Sequence, residues 1–198
     1  FTASLQEMLD TFGRATFRPG ELAPVDFSGS ADGLQRKQVL LDSIEGTCVR
    51  MHQRHRWSVT VDGQPHLISL GLVRIANINR AVDVARHLSD RLPFARIACY
   101  HSQLPRIARF MLERSLDRLL TRKSPTSGPH TAQEIHDAVR RSRNEGGSET
   151  MLIVVATPVE EIGRDHDFDW AVIEPSSVQS IVQTVGRVNR HRLVSISQ

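Results

Sequence analysis

MLIVVATPVEEIGRDHDFDWAVIEP, residues 151–175, is the stretch that decides the fold. Its first seven residues, 151–157, show no polar alternation, so they read as a strand buried on both faces. Such a strand needs neighbours on either side and helices above and below. WAVIEP (170–175) reads as a second short strand, and SSVQSIVQTVGRVNRHR (176–192) as a helix. Upstream the alternation continues. LGLVRIAN (70–77) is a strand, and INRAVDVARHLSDRL (78–92) is a helix with Ala81, Val84, Ala85 and Leu88 spaced for burial. FARIACYHS (94–102) is a strand, and LPRIARFMLERSLDRLLTRK (104–123) a helix with Pro near its start, where Pro is tolerated. TAQEIHDAVRRSRN follows as a helix opened by a T-x-x-E capping box at Thr131–Glu134. This order predicts an α/β fold, a parallel sheet flanked by helices. Ligands of such sheets sit outside the carboxyl ends of the strands. Ala76–Asn77, Tyr100–Gln103 and the 156–170 stretch fall there.

The N-terminal third is less regular. FTASLQEMLDTF places Leu5, Met8, Leu9 and Phe12 on one helical face, and RPGELAPVDFSGSADG reads as loop. Residues 34–54 read as an amphipathic helix, and VTVDGQPHLISLG (59–71) carries the D-G signal of a hairpin. The chain divides into a lead-in, 1–66, and a main unit, 67–198. A chain of 198 residues, 39% hydrophobic and 24% charged, is long enough for one substantial core. Lys plus Arg exceed Asp plus Glu by only 25 − 22 = 3, so overall charge says little about partners. The distribution says more: basic residues gather in 114–123, 140–143 and 187–192, and Arg, the better bidentate partner for phosphate, far outnumbers Lys. Two cysteines give no disulfide framework, and a reducing, cytoplasmic setting is expected. No apolar run approaches the roughly 20 residues of a membrane span. A chain opening on Phe1 rather than Met reads as a piece of something longer.

Gln183, Arg187 and Arg190 stand at i, i+4 and i+7, so a continuous helix would put them on one face, with Gly186 allowing close approach. Two arginines so placed can stabilise charge on a transferring phosphoryl group; the plainer reading is a basic surface helix. Asp165, Asp167 and Asp169 tempt a calcium reading, but the loop lacks Gly at its sixth position, which is Trp170. His52 and His55 have H-x-x-H spacing without further ligands, so zinc is set aside, as is His136-Asp137 within an amphipathic helix. His166 and His191 read as solvent-facing in preference to meeting phosphate.

The order strand, ATPVEEIGRDHDFD, strand, then QTVGRVNR in a helix resembles motifs V and VI of superfamily 2 helicases. EEIGRDHDFDWAVIEPSS followed by GRVNRHR is similar to the CRISPR-associated nuclease–helicase of type I systems, especially subtype I-F. GLVRIANINRAVDVARHL resembles that family's motif IV region and ACYHSQLPRIARFMLE its motif IVa, so the resemblance covers about residues 70–192. It implies a second RecA-like helicase lobe. Arg187, Arg190 and Gln183 would act on ATP held in a partner lobe, with Gly163, Asp165 and Gly186 near the nucleotide. Arg74, Asn77, His101, Ser102, Gln103 and Thr157 would meet the backbone of single-stranded DNA. Phosphate contacts of this kind grip without reading sequence.

Two departures bound this reading. No G-x-x-x-x-G-K-[ST] loop is present, and no acidic box for Mg²⁺. The family's nuclease metal cluster is also missing, so no metal site is expected here. ATP and Mg²⁺ would be bound mainly by the partner lobe, and the nuclease's divalent metals by a separate domain. The expected partners are single-stranded DNA and the RNA-guided CRISPR surveillance complex, with the CRISPR integrase or a viral inhibitor as further candidates and no membrane. Two other readings stand beside this one: an RNA helicase lobe, and a non-catalytic docking module.

Overall fold

A computed structural model describes residues 20–122, 129, 131–158 and 165–190. The expected helix over 1–12, Gly163 and His191 lie outside them.

The first helix, α1 (Gly33–His55), starts where Asp32 accepts a bond from the Gln35 amide at 2.8 Å. It leads into a hairpin of β1 (Trp57–Val61) and β2 (Gln64–Arg74), paired antiparallel from Trp57↔Ile68 to Val61↔Gln64. The turn is Asp62-Gly63, with φ of 52° and 76°. Positive φ at both positions suits a primed two-residue turn, and Asp-Gly is the pair that tolerates it. The hairpin and the strand expected at 70–77 are one structure: the return strand runs on to become a member of the parallel sheet.

Next come α2 (Ile78–Arg91), β3 (Ala95–Tyr100), α3 (Arg106–Leu120), α4 (Gln133–Asn144), β4 (Glu149–Ala156), β5 (Trp170–Ile173) and α5 (Val178–Val185). β4 is the central strand, parallel to β2 on one side and to β3 on the other, which explains its unbroken apolar run. β2 pairs with β1 along its first half and, on the parallel strand β5, along Gly71–Arg74.

Helices cover both faces. On one, Leu41, Ile44 and Cys48 of α1 and Ala81, Val84, Ala85 and Leu88 of α2 pack on Val73, Ile153, Val155 and Trp170. On the other, Leu116, Leu119 and Leu120 of α3 and Ile135 and Val139 of α4 pack on Ile68, Leu70, Leu72 and Val154. β2 thus alternates its side chains between two cores. Trp170 sits on Gly71 so closely that a methyl group there would lie 2.2 Å from the indole. No described helix is long and apolar enough to cross a membrane.

Two local expectations fail. α4 has Ala132 as N-cap with no side-chain cap bond, so the Thr131–Glu134 capping box is not formed. Glu134 instead accepts from the Arg118 guanidinium on α3, a charge-assisted bond between helices that outweighs a local cap. The last helix stops at Val185 instead of running to 192, with Gly186 as its C-cap and Asn189 left-handed at φ 50°.

Candidate functional site

The four parallel strands end level. Tyr100 and Arg74 both pair with Ala156, and Arg74 pairs with Ile173. At about 4.8 Å per strand, this makes a rim about 14 Å long. Beyond it, in order across the sheet, come His101, Thr157, Ala76–Asn77 and Glu174–Ser176. Backbone bonds keep them level: Thr157 N to Tyr100 O at 3.1 Å, Ile75 N to Ala156 O at 2.9 Å, and Glu174 N to Arg74 O at 2.9 Å. The helices that follow β2, β3 and β5 all begin at this rim, so their positive ends favour an anion there.

The six residues expected to meet DNA all lie at this rim, but not in equivalent states. Ser102 and Gln103 are exposed. His101 is half-buried, and its Nδ1 has no hydrogen-bond partner among the described residues. Asn77 caps α2, its Oδ1 accepting from Asn79 N at 2.9 Å. Arg74 and Thr157 are buried, 3% and 4% exposed. Arg74 donates to Ser176 Oγ at 2.8 Å and to the Glu174 carbonyl at 3.2 Å, under the loop that leads to α5. In this conformation its guanidinium holds protein and offers little surface to a strand. Glu174, which the sequence reading passed over, organises the same corner: its carboxylate accepts from Ala76 N at 2.7 Å and from Arg80 at 2.9 Å. The only local signal for it was an acid directly after a strand; its partner Arg80 lies on α2, 94 residues earlier.

The arginine pair lies elsewhere, level with the start of β5. Because α5 ends at Val185, Gln183, Arg187 and Arg190 do not share a helix face; the two arginines stand on the turn beyond it. The turn is sewn to the segment before β5. Phe168 N donates to Arg187 O at 2.8 Å and Asn189 N to Phe168 O at 2.9 Å, forming a parallel bridge between Phe168 and Val188. Arg190 is gripped twice, through its amide by Asp167 Oδ1 at 3.1 Å and through its side chain by Asp165 Oδ1 at 3.2 Å. Arg187 is 6% exposed, while Gln183 is exposed.

The three aspartates are therefore not a loose acidic loop. Asp167 and Asp169 are buried, and so is His166, contrary to its expected exposure; its Nε2 lies 2.9 Å from Asp117 Oδ1. His52 of the H-x-x-H pair is also buried, with Nδ1 2.7 Å from Ser69 Oγ. Burial lowers its pKa below the usual histidine value.

Residues 68–193, well over half of the chain, match the family described as CRISPR-associated nuclease/helicase Cas3, C-terminal. The chain belongs to this family. Its fold is the α/β fold expected above, a largely parallel sheet flanked by helices. The subtype I-F/YPEST Cas3 nuclease/helicase of Pseudomonas aeruginosa UCBPP-PA14 is 38% identical over 151 residues, covering 72% of this chain and 13% of the relative. That of Pectobacterium atrosepticum SCRI 1043 is 40% identical over 146 residues, covering 71% and 12%. The chain thus spans about an eighth of these Cas3 proteins. A crystal structure of T. fusca Cas3 with ATP aligns over 62% of this chain and 12% of its own, at 20% identity and a TM-score of 0.46.

Proposed function

We propose that the chain is the second motor lobe of an ATP-dependent single-stranded DNA helicase or translocase joined to a nuclease, acting in CRISPR interference. The observation that carries this is the weld between the 165–169 and 186–190 segments. Two motif stretches some 20 residues apart form one hydrogen-bonded unit, which fixes Arg187, Arg190 and Asp165 in a single small region. The Arg190 guanidinium, exposed and held by Asp165, suits the phosphates of ATP, and Arg187, anchored through its backbone and 6% exposed here, turns outward to join it; the remaining contacts and Mg²⁺ come from a partner lobe. Gln183, exposed near the end of α5, orients water or phosphate, and Gly186 at the helix's C-cap lets the nucleotide come close.

The rim grips the DNA backbone through the exposed side chains of Ser102, Gln103 and Asn77, with His101 half-buried beside them. Arg74 and Thr157 support it from beneath. The Asp165 grip on Arg190 also balances an otherwise exposed charge until phosphate competes for it. In the full-length enzyme this lobe hands DNA to the nuclease domain, on targets marked by the RNA-guided surveillance complex.

Arg187→Ala in the full-length protein tests the reading. Arginines in this role contribute on the order of 10³–10⁵ in turnover, so ATP hydrolysis stimulated by single-stranded DNA should nearly vanish. Near-normal turnover by a folded variant refutes the assignment, and stimulation by RNA alone moves it to an RNA helicase.

A further inference from the structure

The weld that holds the arginine turn is itself anchored from behind. Asp169 is the residue next to Phe168, and both of its carboxylate oxygens are engaged. Oδ2 accepts from the Leu70 amide at 2.7 Å and from the Trp57 indole N–H at 3.0 Å. Oδ1 accepts from Arg122 at 3.0 Å. Asp169 is 1% exposed, and the Asp169 amide returns a bond to Leu70 O at 2.8 Å. Arg122 in turn lies over the Trp57 ring, 5.7 Å from its centroid.

Three separate parts of the chain therefore converge on one carboxylate: the hairpin strand β1, the sheet strand β2, and the residue two past the end of α3. The next residue back, Phe168, carries the backbone bridge to Arg187 and Asn189. One further back, the Asp167 amide is tied to Leu120 O at 3.0 Å, while its carboxylate holds the Arg190 amide. The path from brace to arginines is continuous and short: Trp57 and Arg122 to Asp169, Asp169 to Phe168 through one peptide, Phe168 to Arg187 through a 2.8 Å bond.

We infer that Asp169, braced by Trp57 and Arg122, is a positioning residue that sets where Arg187 and Arg190 stand, so that the hairpin β1–β2 and the end of α3 take part in ATP turnover without touching nucleotide. This rests on the arginine pair serving ATP. A charged brace suits the task because a carboxylate held on both oxygens cannot rotate, and a misplacement of about 1 Å can cost 10²-fold in rate. An ordinary stability role would not require the brace to be coupled to Arg187.

The test is a double-mutant cycle in the full-length enzyme, reading kcat and KM for ATP with single-stranded DNA present. Trp57→Phe keeps the ring over Arg122 and removes a single donor, so it is the variant that keeps its fold; Asp169→Asn is the stronger version. Trp57→Phe should lower kcat about tenfold, the factor one hydrogen bond is worth, while KM changes little. In the Arg187→Ala background the same change should cost clearly less than tenfold, because one of the two arginines it positions is gone. Hydrogen exchange on the 198-residue chain should show the Phe168 and Asn189 amides opening faster in Trp57→Phe.

A folded Trp57→Phe enzyme with unchanged kcat, or a penalty that multiplies fully with Arg187→Ala, overturns the inference while leaving the arginine assignment intact. A harmless Arg187→Ala overturns that assignment, and the inference with it.

Discussion

Replacing Gly71 by alanine puts the packing to its hardest test. Gly71 lies in the middle of β2, opposite Trp170 of β5. A methyl group there would meet the indole Cη2 and Cζ2 at 2.2 Å and Cε2 at 2.6 Å. Carbon atoms settle at about 3.5–4.0 Å, so the ring must retreat by more than about 1 Å. It has nowhere to go, because Trp170 is fully buried among Ile153, Val155 and the faces of α1 and α2. Retreat also pulls its N–H from Ser69 Oγ, 3.0 Å away, whose own hydroxyl serves His52. Overpacking contributes about 1–3 kcal/mol, and a buried donor left without its acceptor adds about 1–3 kcal/mol. The middle of the sum is about 4 kcal/mol, or about 8–16 °C in Tm for a domain of this size. The matched control is Gly46→Ala, in the middle of α1, where a methyl group meets only the flexible end of Arg50 at 3.6 Å. There the helix gains about 0.5–1 kcal/mol. Scanning calorimetry of the two variants beside the parent decides the matter. The same chemical change should lower Tm steeply at one site and raise it slightly at the other. A Gly71→Ala protein melting within about 2 °C of the parent would refute the packing described for Trp170.

Burial holds His52 and His66 below the ordinary histidine pKa of 6.5. The unfolded chain therefore binds more protons, so stability is fully present above about pH 6.5 and drains away as pH falls below it. Urea midpoints at pH 7.5 and 5.5 should show this, with a smaller difference in a His52→Gln/His66→Gln chain. The Cys48 thiol is pushed up to about 12, first by burial and then by Glu45. It should resist a thiol reagent at pH 8 until the chain unfolds, whereas half-exposed Cys99 reacts sooner. Asn189, at φ 50°, should accept glycine without loss of ATP turnover in the full-length enzyme, while valine, disfavoured there, should slow it. Equal rates for the two variants would separate turn geometry from function.

Where the structure depends on neighbours along the chain, the sequence could be read. Asp62-Gly63 announced the hairpin, the apolar residues of α2 were named in advance, and the run 151–157 marked a central strand. That Ala76–Asn77, Tyr100–Gln103 and the stretch after Ala156 lie at the strands' carboxyl ends followed from strand–helix order. What escaped were contacts made at a distance. The apparent helical face of Gln183, Arg187 and Arg190 assumed a continuous helix, but backbone bonds from Phe168, nearly 20 residues earlier, draw the chain out of it. Glu134 left its local cap for Arg118 on another helix. The structural role of Asp169 could not be read because its partners come from residues 57, 70 and 122, and no local pattern links those positions. Arg74 reads as a phosphate ligand by type and place, and only three-dimensional packing shows it beneath Ser176.

The two short strands that share one side of β2 have a bearing on how the lobe can be cut. β1 covers residues 64–68 and β5 covers 71–74, end to end, so that side of an 11-residue strand is left with almost no open backbone. The span matched to the family begins at residue 68. A protein trimmed to that point would lose α1, β1 and the first four residues of β2, baring the apolar face of Val73, Val155 and Trp170 that α1 covers, the kind of patch on which a second copy docks. Helix α1 and the hairpin thus act as the lobe's guard against self-association, and fragments prepared without them should precipitate or pair while those starting before Gly33 stay apart.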